Sequence, residues 1–461
     1  MSNTAKYGEI AMKYIPGGAH TYSKCDDQWP ENAPSVIERG KGCYVWDADG
    51  NKFVDWSMGL TSVSLGHANE EVNSACIKAM EYGHNFQRPS VMEAMAAEKF
   101  ISYLKDRGQM VKFAKNGSTV TTAAVKLARS FTNRSKVAIC ADHPFFSYDD
   151  WFIGTTKCSE GVPQQIRDLT LKFSFNDISS VEEMFRLNKN KIAALIIEPI
   201  KFEEPVDNFL NKLQKECEKN GTVFILDEMV SGFKWHNQGA GKYFGVDADL
   251  YTWGKGMANG HSVCALTGRR EIMELGGITH DKPKVFLSSS THGAEIPQLA
   301  ALIKTLEIYE SQNPIKTAWR LGAKLKKDLS EIIKKYDLED YISIVGADCL
   351  FAPLIKKSGS QKPNVARTYL FQELVSRNQL FQGLFYPTIS HDESALKATL
   401  EAWDNSASLF KEFISGGDPQ LLKGSPIKPV FRAYNSCECL SLSDCRKCEE
   451  RLANRIITQC N

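Results

Sequence analysis

The chain has 461 residues, 43% hydrophobic and 24% charged, the balance of a folded globular protein. Its 56 Lys+Arg against 55 Asp+Glu leave a net charge of +1, which excludes the basic face of a nucleic-acid or anionic-membrane binder. No apolar run approaches the roughly 20 residues of a spanning helix, and the first nine residues lack a signal peptide's apolar core, so the chain is read as cytoplasmic.

Residues 1–65 read as an N-terminal arm and part of a small domain. Ile15-Pro-Gly-Gly18 makes a turn, and the segment 42–51 runs as a strand into an Asp-Gly-Asn hairpin whose return strand is Lys52–Trp56. Residues 66–300 alternate helix and strand. Apolar spacing predicts helices at Glu70–Tyr82, Val91–Leu104, Val120–Phe131 and Phe209–Lys219, and strands at Lys136–Cys140, Ile192–Ile197, Val223–Leu226 and Val263–Thr267. That alternation predicts an α/β fold with a mostly parallel sheet and right-handed crossovers. Long helices at Pro297–Glu310 and Ile315–Tyr336 lead into a small α+β domain over 301–415. This holds a strand at Ile342–Ala347 and helices at Ala366–Arg377 and Glu393–Ser415. A Gly- and Pro-rich linker, 416–429, opens a cysteine-rich extension over 416–461.

Thirteen cysteines are present. Cys25, Cys43, Cys76, Cys140, Cys158, Cys217, Cys264 and Cys349 are scattered singly and read as reduced core residues. Cys437, Cys439, Cys445, Cys448 and Cys460 crowd the tail. Cys-x-Cys and Cys-x-x-Cys could supply four thiolates to zinc, but the first pair is tight and no histidine accompanies it, so no metal is expected.

The run Thr222–Phe233 delivers Asp227 at the polar end of an apolar strand, and Lys255 follows in the glycine-flanked Tyr251-Thr-Trp-Gly-Lys-Gly256. A buried acid and a lysine in a tight turn are what pyridoxal phosphate (PLP) chemistry needs. The amine condenses with the aldehyde, and the carboxylate keeps the pyridinium protonated. Asn116-Gly-Ser-Thr-Val-Thr-Thr122 opens a helix, where Gly117 and Ser118 could cradle a phosphate, although such a run also suits ordinary capping. Phe145 or Phe146 in the loop 143–148 could stack on one ring face, and Met229 could cover the other.

The order phosphate loop, aromatic loop, Asp-Glu pair, lysine and Ser288-Ser-Ser-Thr-His-Gly-Ala-Glu295 resembles the class III, fold type I PLP aminotransferases, above all their glutamate-1-semialdehyde 2,1-aminomutase branch. The resemblance spans roughly residues 8–415 and includes Leu65-Gly-His67, Glu198-Pro199 and Tyr243-Phe-Gly-Val246. It implies a seven-stranded-type, mostly parallel sheet, with the small domain formed by both ends of the chain. It further implies Lys255 as the Schiff-base lysine, Asp227 as the pyridinium partner, and Asn116, Gly117 and Ser118 at the phosphate. Phe145 falls at the stacking position if one residue is inserted, Pro144 otherwise. Met229 matches the opposite face. Thr291 matches a threonine reaching the neighbouring subunit's phosphate, so a homodimer with shared sites is implied.

Departures fall at substrate contacts. Lys24 stands where the mutase motif has a carboxylate-binding arginine, and a point charge does not replace a bidentate fork. Glu198 joins Lys24 as a candidate substrate contact. Phe-Phe-Ser-Tyr replaces the family's Tyr-His-Gly-His, Thr119 replaces a glutamate, and the stretch 147–170 is short. The expectation is a transaminase taking an amino group from L-glutamate to a carbonyl acceptor, such as a keto or aldehydo sugar for surface glycans. Lys255 would carry the proton from Cα. The alternatives are a true aminomutase and a non-catalytic scaffold; retention of Lys255 and Asp227 speaks against the second.

Overall fold

The computed structural model describes residues 2–143 and 145–435, so Pro144 and the tail cysteines Cys437, Cys439, Cys445, Cys448 and Cys460 lie outside the described residues. The chain divides into two compact units, Met58–Arg320 and Met1–Ser57 with Leu321–Asn461. The divisions fall at 57/58 and 320/321 rather than the expected 65/66 and 300/301. The second difference has a packing cause. Helix Ile296–Gln312 lies on helices Glu70–Met80 and Val91–Leu104 and on the Lys255 turn, so it belongs to the first unit.

That unit is built on seven strands: β1 (Met110–Ala114), β2 (Lys136–Cys140), β3 (Thr170–Phe173), β4 (Ile192–Ile197), β5 (Val223–Asp227), β6 (Leu250–Trp253) and β7 (Cys264–Gly268). They stand in the order β1-β7-β6-β5-β4-β2-β3. β7 runs antiparallel to both neighbours, and the remaining pairs are parallel. Every residue of β4 and β5 is buried, as apolar runs in a sheet covered on both faces must be. Helix Gly117–Thr132 supplies one cover: Ala124, Val125, Leu127 and Ala128 pack with Ile139, Ile196, Ile225 and Leu266. Helix Val91–Leu104 starts where a capping box allows, Ser90 and Glu93 each satisfying the other's N–H.

The other unit has a four-stranded sheet of Ile37–Lys41, Tyr44–Asp47, Lys52–Asp55 and Gln379–Leu380. The last strand comes from the C-terminal half and pairs in parallel with Lys52–Asp55. A separate hairpin joins Ile342–Ala347 to Leu350–Ile355. Trp56, Phe351, Phe371, Phe381, Phe385 and Trp403 fill its core. His391 stacks on Trp56 at 4.1 Å between ring centroids, its Nε2 3.2 Å from the Asp55 carbonyl. Among the described residues, no helix is long and apolar enough to cross a membrane.

Candidate active site

Open α/β sheets gather ligands at the carboxyl ends of their strands, and β5 ends on Asp227 in the middle of this sheet. Asp227 is 2% exposed. Its Oδ1 accepts the Met229 N–H at 3.0 Å and the Thr252 hydroxyl at 2.8 Å. Among the described residues both bonds fall on Oδ1, which leaves Oδ2 for a further donor. Burial raises the Asp227 carboxyl above the usual range and the charge of Glu198 adds to it, against the pull of Thr252, Met229 and Lys255.

Lys255 follows β6 at the head of a one-turn helix, Lys255–Ala258. Its φ of 47° is left-handed, a conformation that costs a non-glycine residue of order 1–3 kcal/mol and is kept where function needs it. Burial, with Lys201 adding to it, brings the amine down to about 8, while Glu198, Asp227 and Cys264 oppose that shift. Glu198 is 1% exposed at the end of β4, with Lys201 Nζ 3.3 Å from its Oε1. Its backbone N–H donates to His143 Nδ1 at 3.2 Å, and burial lowers the imidazole below its ordinary value. His143, Lys201 and Thr252 were not expected in the site. Each had a local signal: Lys201 lies three residues past Glu198, His143 opens the aromatic loop, and Thr252 sits inside the lysine motif.

The phosphate loop is a helix start. Gly117–Thr132 begins three residues before the expected Val120, because Asn116 caps it by accepting the Thr119 N–H at 2.9 Å. The first turn of a helix has no intrahelical acceptors for its N–H groups, and Asn116 takes that of Thr119, which leaves those of Gly117 and Ser118 for a further acceptor. The Ser118 hydroxyl accepts the Tyr148 N–H at 3.0 Å, and the Thr121 hydroxyl donates to the Phe146 carbonyl at 2.9 Å, pinning the aromatic loop to this helix. Phe146 is buried on Phe152, whereas Phe145 is 45% exposed with its ring edge-on to Phe152 at 5.7 Å. Of the two rings, only that of Phe145 is open to a ligand.

Met229 ties these parts together. A Cβ on Gly117 would meet its Cε at 3.0 Å, and one on Gly254 would meet its Sδ at 2.3 Å and Cys264 Sγ at 2.6 Å. The thioether and the Cys264 thiol leave no room for a side chain at 254, and the thioether lies tight against 117. Thr291 is exposed, and its carbonyl accepts from Asn85 Nδ2 at 2.7 Å. Nearby Glu295 pairs with Lys115, next to Asn116. Lys24 lies in the other unit, exposed on the short turn Tyr22–Lys24.

This donor set fits pyridoxal phosphate. A helix N-terminus with a hydroxyl suits a dianionic phosphate, the second oxygen of a buried acid suits a pyridinium N–H, and an amine lowered to about 8 suits an aldehyde.

Comparison with known proteins agrees. The family model for class-III aminotransferases matches residues 26–370. A glutamate-1-semialdehyde 2,1-aminomutase from Acetivibrio thermocellus is 33% identical over 74% of this chain and 81% of its own length. A 3-aminobutyryl-CoA aminotransferase from Cloacimonas acidaminovorans is 27% identical over 88% of this chain and 97% of its own. In fold, the PLP-bound FumI protein of Sphingopyxis sp. MTA144 superimposes with a TM-score of 0.82 at 22% identity, covering 90% of this chain and 98% of that one.

Proposed function

The chain belongs to the class-III aminotransferase family, with pyridoxal phosphate as cofactor, and we propose that it transfers an amino group from L-glutamate to a carbonyl acceptor. When bound, the cofactor supplies an electron sink for the negative charge left at the substrate Cα. The protein's part is to hold, orient and move protons. Gly117 and Ser118 N–H groups take the phosphate at the helix N-terminus. Asp227 gives its Oδ2 to the ring N–H, and a cation there offsets the burial, and the Glu198 charge, that raise its carboxyl. Phe145 and Met229 bound the two ring faces.

Lys255 anchors the aldehyde and then serves as the base that takes the Cα proton. An ordinary lysine is almost wholly protonated near neutrality, whereas an amine brought down to about 8 keeps a usable neutral fraction. The observation that carries the reading is this pairing of a buried acid with an unused oxygen and a lysine of lowered pKa. Thr291, exposed on a segment tied to the phosphate loop, is proposed to reach the phosphate of a second copy in a homodimer.

Lys24 in place of the mutase arginine favours transfer between two molecules. The acceptor proposed is a keto or aldehydo sugar. The second reading is intramolecular amino transfer, supported by the 33% identity to an aminomutase.

Absorption of the purified, PLP-loaded protein before and after L-glutamate alone tests the choice. Loss of the aldehyde-form band with growth of the amine-form band supports a transaminase. An unchanged band points to the aminomutase or another donor, and a protein that takes up no cofactor overturns both.

A further inference from the structure

The carboxyl ends of β4 and β5 carry an acid each. Ile197 pairs with Leu226, so Glu198, just past β4, and Asp227, the last residue of β5, stand side by side. Both are buried, and the charge of Glu198 adds to the rise of the Asp227 carboxyl. A substrate that brings a carboxylate to this edge meets two acids and needs a cation to offset them.

Lys201 stands there, in the same unit as Lys255 and both acids. Its Nζ lies 3.3 Å from Glu198 Oε1 and 3.4 Å from Oε2. Both contacts are longer than the roughly 2.7–2.9 Å of a tight charged bond, and an ammonium has three donors. Among the described residues its hydrogen bonds go to these two oxygens, which leaves one N–H over. The Glu198 side chain is 2% exposed and that of Lys201 26%, so the pair is closed on the acid's side and open on the amine's. The Lys201 charge is felt at the reacting group, since it helps to lower the Lys255 amine, and it acts on His143 in the same sense. Glu198, Asp227 and Cys264 bear on Lys255 in the opposite sense.

We propose that Lys201 takes the carboxylate of the amino donor, with Glu198 as the positioning residue beneath it, so that the donor is a carboxylate-bearing amine rather than a plain alkylamine. The proposal rests on the reading of Lys255 as anchor and base. A lysine is a point charge on a flexible stem, and a buried acid that engages two of its three donors fixes where the third is offered. An anion on that donor cancels the like charge that Lys201 presents to Lys255, so binding of the carboxylate and the proton affinity of the base are coupled.

Glutarate, a dicarboxylate with no amino group to transfer, is the probe, added to the PLP-loaded protein. Two quantities are read: its dissociation constant by calorimetry, and the pH midpoint of the cofactor's absorption band, which follows the proton on the Lys255 nitrogen. In the unaltered protein glutarate should raise that midpoint by about half a pH unit or more. Lys201→Gln keeps a donor for Glu198 but loses the charge. It should weaken glutarate about three- to fivefold, the range of a partly exposed charge contact, raise the midpoint without glutarate, and abolish the further rise on binding. Lys201→Arg, which keeps the charge, should retain both effects. If glutarate binds the Gln variant as tightly as the unaltered protein, or still shifts its midpoint, the carboxylate is held elsewhere and the proposal is overturned. An Arg variant that loses both effects overturns it too. So does a midpoint that glutarate leaves in place in the unaltered protein, a result that needs no variant to fold. The amino-transfer reading is tested apart from this, by the band change with L-glutamate: that change alongside any of these negative results sinks Lys201 and leaves Lys255 standing.

Discussion

The two units order their chain by different means. In Met58–Arg320 the chemistry is placed by local rules: a strand end delivers Asp227, a left-handed residue aims Lys255, and a helix start presents Gly117 and Ser118. In the other unit order comes from distant partners, Gln28 and Lys428 standing 400 positions apart and Asp27 and Arg432 405 apart. The first kind of placement resists drift because each residue is fixed by its own neighbours. The second depends on the two chain ends changing together, so a substitution at one end is felt at the other.

The comparison breaks most easily at Lys255. Lys255→Ala should lower amino transfer by about a thousandfold or more while the melting temperature holds, since a base and an anchor are lost together. Asp227→Asn should follow with a loss of about 10²–10³ in kcat, the usual effect of removing support for developing charge. If either variant keeps full activity, the site lies elsewhere.

Gly254→Ala should come next. It drives a methyl into Met229 Sδ, so cofactor affinity falls and stability drops by about 1–3 kcal/mol, and Met229→Ala in the same chain should recover part of both. Thermal unfolding and PLP titration measure this. No recovery would mean the glycine serves another end.

A smaller effect concerns protons. Lys255 in the cofactor-free protein should react with an amine-selective label with a midpoint near pH 8, and Lys201→Met should move that midpoint upward by removing a like charge. Mass spectrometry of the labelled peptide across pH reads it; an ordinary lysine midpoint in the unaltered protein would contradict the burial argument.

The last sits in the other unit. Burial lowers His391 to about 4, so between pH 6.5 and 4 the unfolded chain binds a proton that the folded one refuses. Stability should fall with acid there by up to about 1.4 kcal/mol per pH unit, and His391→Phe should flatten that part of the curve in denaturant titrations.

How legible each unit was follows the same division. Strands Lys136–Cys140 and Ile192–Ile197 match their expected bounds because unbroken apolar runs between polar flanks admit one reading. β1, β3 and β6 were not assigned. Met110–Ala114 and Thr170–Phe173 have half-exposed or charged positions that blur the period, and Leu250–Trp253 was absorbed into the lysine motif. The placing of Asp227 at a strand end and of Lys255 in the turn after the next strand was readable from one stretch each. The approach of Lys201 to Glu198 was not, since an acid and a lysine three apart usually mark a solvated helix face rather than a buried pair. The Asp27–Arg432 pair was beyond reach, because no local period connects residue 27 with residue 432.

Met229 touches the space of Gly117 on one side and of Gly254 on the other. In terms of descent, the three positions are linked unequally. A lineage that enlarges Gly254 must make room at both residue 229 and Cys264, whereas one that enlarges Gly117 needs only the Met229 methyl to shift by a few tenths of an ångström. Residue 254 is thus the position held most firmly by its neighbours, and residue 117 the one freer to change first.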